Sequence, residues 1–314
     1  MQFGSGDFIY EYVENWGLNQ NQVDFKAIAG ISVDSNDHIY VLTRTEIPVV
    51  VMNKEGEILE TFGQGIFGRA HGLYRDADGF LFGVDDRDHA VYKFSPDKKL
   101  VMTLGTKGVP SDTGYVSKDY KNVVLKAAGP FNRPTRLTTD KEGNLYVTDG
   151  YGNARVHKFD RNGKLLFSWG TPGTAPGQFR LPHGIGIDNS DILYVADRSN
   201  NRVQLFDTNG KFLDAWTDFE RPSDIWVDSD NIIYVSECLR TSNFTCAPSR
   251  VSIMDKNGKL LARLEDPNKF YDAQIGHHCA HGMAIDSEGS IYIGNVGQKF
   301  PENYSGLAKY RRVR

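Results

Sequence analysis

One sixteen-residue phrase recurs six times along the chain, and that repetition limits the possible folds more than any single motif. The copies are AGISVDSNDHIYVLTR from Ala29, HGLYRDADGFLFGVDD from His71 and TRLTTDKEGNLYVTDG from Thr135. HGIGIDNSDILYVADR from His183, SDIWVDSDNIIYVSEC from Ser223 and HGMAIDSEGSIYIGNV from His281 complete the set. All six align without a gap. An Asp stands five residues after the first position in every copy, at Asp34, Asp76, Asp140, Asp188, Asp228 and Asp286. An aromatic stands eleven residues after it, at Tyr40, Phe82, Tyr146, Tyr194, Tyr234 and Tyr292.

Each copy runs on into a second hairpin pattern, clearest in VHKFDRNGKLLFSWG and VQLFDTNGKFLDAW, where apolar residues alternate about an Asn-Gly turn. A unit of this kind is four antiparallel strands, the content of one propeller blade. A lone sheet cannot bury both faces, whereas a ring of blades buries each against its neighbours. The reading is therefore all-β: a six-bladed β-propeller forming one domain over residues 1–314. The N-terminal segment FIYEYVENWG has the pattern of an outermost strand and is expected to complete the sixth blade, closing the ring and covering its edges. Three stretches depart from the repeat: Thr106–Gly129, Thr241–Pro248 and Asp266–His278. Loops of this kind on a propeller shape its mouth.

A formal net charge of -4 argues against a nucleic-acid footprint. No apolar run approaches the roughly 20 residues that cross a bilayer. No basic segment followed by an apolar one marks a leader, which points to a cytoplasmic protein. A closed propeller has no need of a partner copy, so a monomer or weak oligomer is expected. The three cysteines, Cys238, Cys246 and Cys279, are too few for a disulfide framework. Reduced thiols are the favoured reading, with pairing of Cys238 and Cys246 as the alternative.

The first repeat position reads Ala29, His71, Thr135, His183, Ser223, His281. Alternate blades of six lie about 120° apart around a ring, and the first strand of each lines the channel. Three histidines at one register on alternate blades therefore converge, and the small residues between them leave room. Three imidazoles with a fourth position open are the ligand set of a catalytic metal site. Zn suits them, with other divalent transition metals as alternatives. The remaining histidines, His38, His89, His157, His277 and His278, share no register and are expected at the surface or in turns. His278 is the exception, three residues before His281, where it can stand behind the ligands or against the substrate.

The fourteenth residue after the repeat start reads Thr43, Asp85, Asp149, Asp197, Glu237, Asn295. This ring of carboxylates is expected to cap turns and pair with nearby arginines, Asp149 with Arg155 and Asp197 with Arg202. Asp149 is also a candidate for a role close to the substrate. Arg44 follows Thr43 in a blade without that pairing pattern, which suggests an anion binder. Tyr151 is a phenol near the proposed metal, suited to act as a general base.

These residues resemble one family. The repeats are similar to NHL repeats, and the site resembles that of peptidyl-α-hydroxyglycine α-amidating lyases. The likeness is sharpest in VTDGYGNARVHKF and in GQFRLPHGIGIDNSDILYVADRSNNRVQLF, and it covers nearly the whole chain. It implies Zn on His71, His183 and His281, Tyr151 as the base and Arg44 on the substrate's carboxylate. The implied reaction is a zinc-dependent lyase step that splits an N-acyl-α-hydroxyglycine-like carbinolamine into an amide and glyoxylate. Two positions depart from the family. Gly282 stands where the family has a calcium-ligating Asp after the last histidine, so calcium does not carry over with the zinc. Gly152 stands where the family has a disulfide-bonded Cys. The alternatives are another metal-dependent lyase, hydratase or hydrolase acting on a small hydroxy acid at the same site, a calcium-dependent lactonase propeller, and a non-enzymatic NHL scaffold for protein partners.

Overall fold

A computed structural model describes residues 2–17, 23–118, 121–238, 250–265, 280–296 and 305–313. The fold is an all-β six-bladed propeller, with one sheet for each copy of the repeat. The chain divides into two compact units, residues 67–222 and residues 1–66 with 223–314.

The first of these units holds the second, third and fourth blades. The second blade is Ala70–Arg75, Leu81–Asp85, Ala90–Phe94 and Leu100–Leu104. Pro134–Thr139, Leu145–Asp149, Arg155–Phe159 and Leu165–Trp169 form the third. Pro182–Ile187, Leu193–Asp197, Arg202–Phe206 and Phe212–Trp216 form the fourth, and all three are antiparallel meanders in chain order. The stretch Thr106–Gly129 carries a small extra hairpin, Val116–Lys118 with Lys121–Val123.

The other unit holds the first, fifth and sixth blades. Its sixth sheet runs, from one edge, Gln2–Ser5, Phe8–Tyr12, Leu307–Arg312, Ile291–Asn295, Ala280–Ile285. Phe8–Tyr12 pairs with Leu307–Arg312 through Tyr10 and Arg312, so the N-terminal strand is the fourth strand of the last blade, as its pattern predicts. Gln2–Ser5 adds a fifth strand that the repeat does not foretell.

The repeat exists because of one local device. In the fourth blade, one oxygen of Asp188 accepts the backbone N–H groups of Ser190 and Ile192, and the other accepts the Tyr194 hydroxyl at 3.1 Å. Asp34 with Tyr40, Asp140 with Tyr146, Asp228 with Tyr234 and Asp286 with Tyr292 repeat it at 2.9–3.3 Å. Phe82 lacks the hydroxyl, so Asp76 keeps the turn contacts to the Phe80 and Asp78 N–H groups without the tie from the second strand. The carboxylate closes the turn between the first two strands and the phenol ties the second strand back onto it. The rings of Tyr146, Tyr194, Tyr234 and Tyr292 are buried and supply some of the largest pieces of core between strands.

Candidate metal centre

The histidine registers are set by β-bulges. His71 falls in a register shift between Ala70 and Gly72, and His281 in one between Ala280 and Gly282. The shift in the fourth blade lies between Pro182 and Ile185 and takes in His183. A bulge leaves its residue out of the ladder and re-aims the side chain. Gly72 is required beside His71, because a Cβ there would sit 2.5 Å from the Thr135 carbonyl oxygen.

The bulges deliver buried imidazoles with one nitrogen committed. His71 Nδ1 lies 2.8 Å from the Thr135 carbonyl oxygen, and His281 Nδ1 lies 2.8 Å from that of Ala29. In each case the acceptor is the first-position carbonyl of the blade that follows. Donation from Nδ1–H fixes the tautomer and leaves the Nε2 lone pair as the ligand atom. Among the described residues, His71 and His183 of one unit, with ring centroids 5.0 Å apart, and His281 at the same repeat register in the other unit are the one group of three side chains suited to hold a metal ion. Three buried neutral imidazoles fit a divalent transition metal, and carboxylate ligands are absent from the group.

Tyr151 is brought to His71 and His183 by two glycines. A Cβ on Gly150 would lie 1.8 Å from the Pro182 carbonyl oxygen, and one on Gly152 would lie 2.1 Å from Asn132 Oδ1. The backbone can pass this close only without side chains on either flank. The departure at Gly152 therefore has a packing reason. The Tyr151 hydroxyl then sits 3.1 Å from His71 Nε2 and 3.1 Å from His183 Nε2. Arg198, which the sequence reading passed over, donates from Nη1 to the same hydroxyl at 3.4 Å and is buried. Its signal was present in the sequence, since it is one residue beyond Asp197 in the repeat that supplies His183, as Tyr151 is two beyond Asp149.

Arg44 directly follows the strand Ile39–Thr43 in the other unit, half-buried, with its backbone N–H on the Ala27 carbonyl. Thr43 takes the place that carboxylates hold in other blades, bonding the Ile47 carbonyl at 2.8 Å. His278 lies outside the described residues, as do Cys246, Cys279 and the Thr241–Pro248 and Asp266–His278 stretches.

Asp85, Asp149 and Asp197 of the carboxylate ring accept hydrogen bonds from their own blades. Asp85 accepts the Arg69, Arg87 and Asp88 N–H groups, and Asp197 accepts those of Arg180 and Leu181. Each Asp thereby latches the segment leading into its own blade. Asp197 also pairs with Arg202 at 3.0 Å, as expected. Asp149 does not pair with Arg155. Its oxygens take the Asn132 N–H, the Asn153 amide and His157 Nε2 at 3.2 Å, while Arg155 donates to the Ala128 and Ser168 carbonyls. His157 is accordingly no surface residue: it is fully buried, with Nδ1 2.7 Å from Ser168 Oγ. His89 is half-buried and accepts the Arg133 N–H at Nδ1, and burial holds its pKa below the ordinary value. His38 stays at the surface beside Asp34. Cys238 corrects the reduced-thiol reading, because it is disulfide-bonded.

The NHL repeat family matches at residues 131–159 and 179–206. A probable peptidyl-α-hydroxyglycine α-amidating lyase of Caenorhabditis elegans is 29% identical over 59% of this chain and 57% of its own length. NHL repeat-containing protein 3 of Homo sapiens is 29% identical over 89% of the chain and 80% of its own. The chain thus spans little more than half of the lyase relative. A streptogramin B lyase structure covers 97% of both chains at 14% identity and a TM-score of 0.61, which shows the shared fold. No helix among the described residues is long and apolar enough to cross a membrane. The chain carries NHL repeats on a six-bladed β-propeller and is similar to peptidyl-α-hydroxyglycine α-amidating lyases.

Proposed function

We propose that this protein is a metal-dependent lyase, with Zn on His71, His183 and His281 of a single propeller domain, that splits an N-acyl-α-hydroxyglycine-like carbinolamine into an amide and glyoxylate. The observation that carries the reading is the phenol of Tyr151 at 3.1 Å from two of three buried histidines suited to one metal. A metal held there supplies a Lewis acid that polarises a substrate oxygen or a water.

The chain's own residues do the rest. Breaking the N–Cα bond requires that the substrate's hydroxyl lose its proton and that the leaving amide nitrogen gain one. Tyr151 takes the hydroxyl proton and returns it to that nitrogen, so the reaction balances without a further reagent. Arg198 holds the Tyr151 oxygen in place through a hydrogen bond from Nη1. Arg44 receives the substrate's carboxylate and fixes its orientation. Calcium has no place in this proposal, and neither nucleic acid nor membrane is a partner. The cytoplasmic location expected from the sequence sits poorly with a disulfide at Cys238, a bond that persists in oxidising compartments.

The likeness to NHL repeat-containing protein 3 over 89% of the chain favours a second reading, a scaffold without chemistry. Glyoxylate release from a panel of N-acyl-α-hydroxyglycines separates the two. Release that chelation abolishes supports the lyase, and no release from any member of the panel by metal-loaded protein sinks it.

A further inference from the structure

Beside Tyr151 lies a cavity of about 640 Å³ whose walls include Arg69, Asp86, Arg87, Asp112, Tyr115 and Arg133. Arg133 stands between the cavity and the phenol: its guanidinium carbon is 5.9 Å from the Tyr151 ring centroid and 5.7 Å from that of Tyr115. Its Nη1 donates to the Tyr115 hydroxyl at 2.9 Å, and its Nη2 reaches Asp86 Oδ2 at 3.4 Å. Arg69 Nη1 donates to the same oxygen at 3.0 Å. One buried carboxylate oxygen thus holds two guanidiniums side by side. Both arginines stay open to solvent, with side-chain exposures of 36% for Arg69 and 27% for Arg133. The third arginine arrives by the repeat. Arg87 is two residues beyond Asp85, the position that Tyr151 holds after Asp149. Its backbone N–H donates to Asp85 at 2.9 Å, it is exposed, and its guanidinium has no hydrogen bond or ion pair among the described residues.

The charge of this wall is out of balance. Three arginines line the cavity against two carboxylates. Asp112 is already matched by Lys126 at 2.6 Å, which leaves Asp86 against three guanidiniums. Like charges gathered on one concave wall raise the local potential and draw in ions of the opposite sign. Asp86 itself is fully buried, so an entering anion meets the arginines and not the carboxylate behind them. An ammonium group would add to the excess charge. An alkyl chain would take water from the guanidiniums and return no hydrogen bond. A carboxylate is planar, matches the guanidinium fork and supplies the missing charge.

We propose that this cavity is a specificity subsite for a carboxylate on the acyl portion of the substrate, so that the preferred N-acyl-α-hydroxyglycine carries a second acid group. The proposal rests on the lyase reading for its source of ligand, but its chemistry is measurable apart from turnover. The probes are succinate and its neutral analogue succinamide, titrated by ligand-observed NMR at low ionic strength, where screening is weakest. The wild-type protein is expected to bind succinate about tenfold more tightly, the worth of a hydrogen bond between charged groups. Arg87→Gln should narrow the gap part of the way, and Arg87→Glu should bring the two probes within about twofold. Arg87 is exposed and bonds through its backbone alone, so neither change threatens the fold. The preference should survive in Arg44→Ala, whose arginine serves the other carboxylate. Equal binding in the wild type, a preference unchanged in Arg87→Glu, or one lost in Arg44→Ala overturns the subsite. Glyoxylate release from N-succinyl- and N-succinamoyl-α-hydroxyglycine judges the other claim, with the lower KM expected for the succinyl compound. Discrimination by NMR without release from either substrate sinks the lyase reading alone. Release with no NMR discrimination sinks the subsite alone.

Discussion

The Tyr151 hydroxyl oxygen stands 3.1 Å from His71 Nε2 and 3.1 Å from His183 Nε2, on side chains delivered by three different blades. Replacing it with Phe removes one oxygen and no packing. Tyr151→Phe is expected to fold, to keep its metal and to lose about 10²–10⁴-fold in kcat, the usual worth of a positioned acid or base. Metal content and the glyoxylate assay on the same sample check this. Near-full activity would remove the phenol from the proposal.

Arg198 acts on that phenol by holding its oxygen. Arg198→Lys keeps the charge but not the reach and planarity of the guanidinium. Its expected effect is a fall of about tenfold or more in kcat with little change in KM. Arg44→Ala should instead raise KM chiefly, because it removes a contact to the substrate's carboxylate in ground and transition states alike. The two profiles, measured side by side, distinguish orienting the base from binding the substrate.

Gly150 admits no side chain, since a Cβ would lie 1.8 Å from the Pro182 carbonyl oxygen. Gly150→Ala should therefore force the third and fourth blades apart locally, at a cost of about 1–3 kcal/mol, the usual range for overpacking. Thermal unfolding checks the cost. Activity should fall further than stability implies, because Tyr151 and His183 move with the two chain segments that clash.

How much of this is legible in the sequence differs from residue to residue. The gapless repeat predicts the blades, and the register of the three histidines predicts their common position, because a bulge repeated at one register re-aims each side chain alike. The Asp and Tyr of the phrase were visible as a pattern, but their mutual hydrogen bond was not. Partner choice inside a blade was harder. Arg155 stands close to Asp149 in sequence, as Arg202 does to Asp197, yet only Arg202 pairs with its Asp. His157, two strands' width from the register of the ligands, comes in beneath Asp149 and takes the acceptor instead.

The turn carboxylates make opposite contributions as pH changes. At Asp34, burial works against ionisation, but the His38 and Asn36 N–H groups and the His38 ring outweigh it, so its pKa lies below the ordinary value. Stability from a lowered carboxylate pKa is present above the unfolded value and lost as pH falls through the folded one. Asp85 and Asp197 have raised pKa values, burial being the largest cause in each. Their contribution is full below the unfolded value and lost as pH rises through the raised one. Asp34→Asn should lower Tm at neutral pH and change it little in strong acid, as thermal melts across pH 2–7 would show. An equal loss at every pH would contradict the assignment.

The central claim is that His71, His183 and His281 hold one metal together. Metal analysis of purified protein tests it most directly, on the wild type and on His71→Ala, His183→Ala and His281→Ala. The account predicts about one Zn, or another divalent transition metal, per wild-type chain, and well below half of that in every variant while each remains folded. Metal retained at full stoichiometry by any folded variant, or no metal in the wild type after supplementation with Zn, would contradict it.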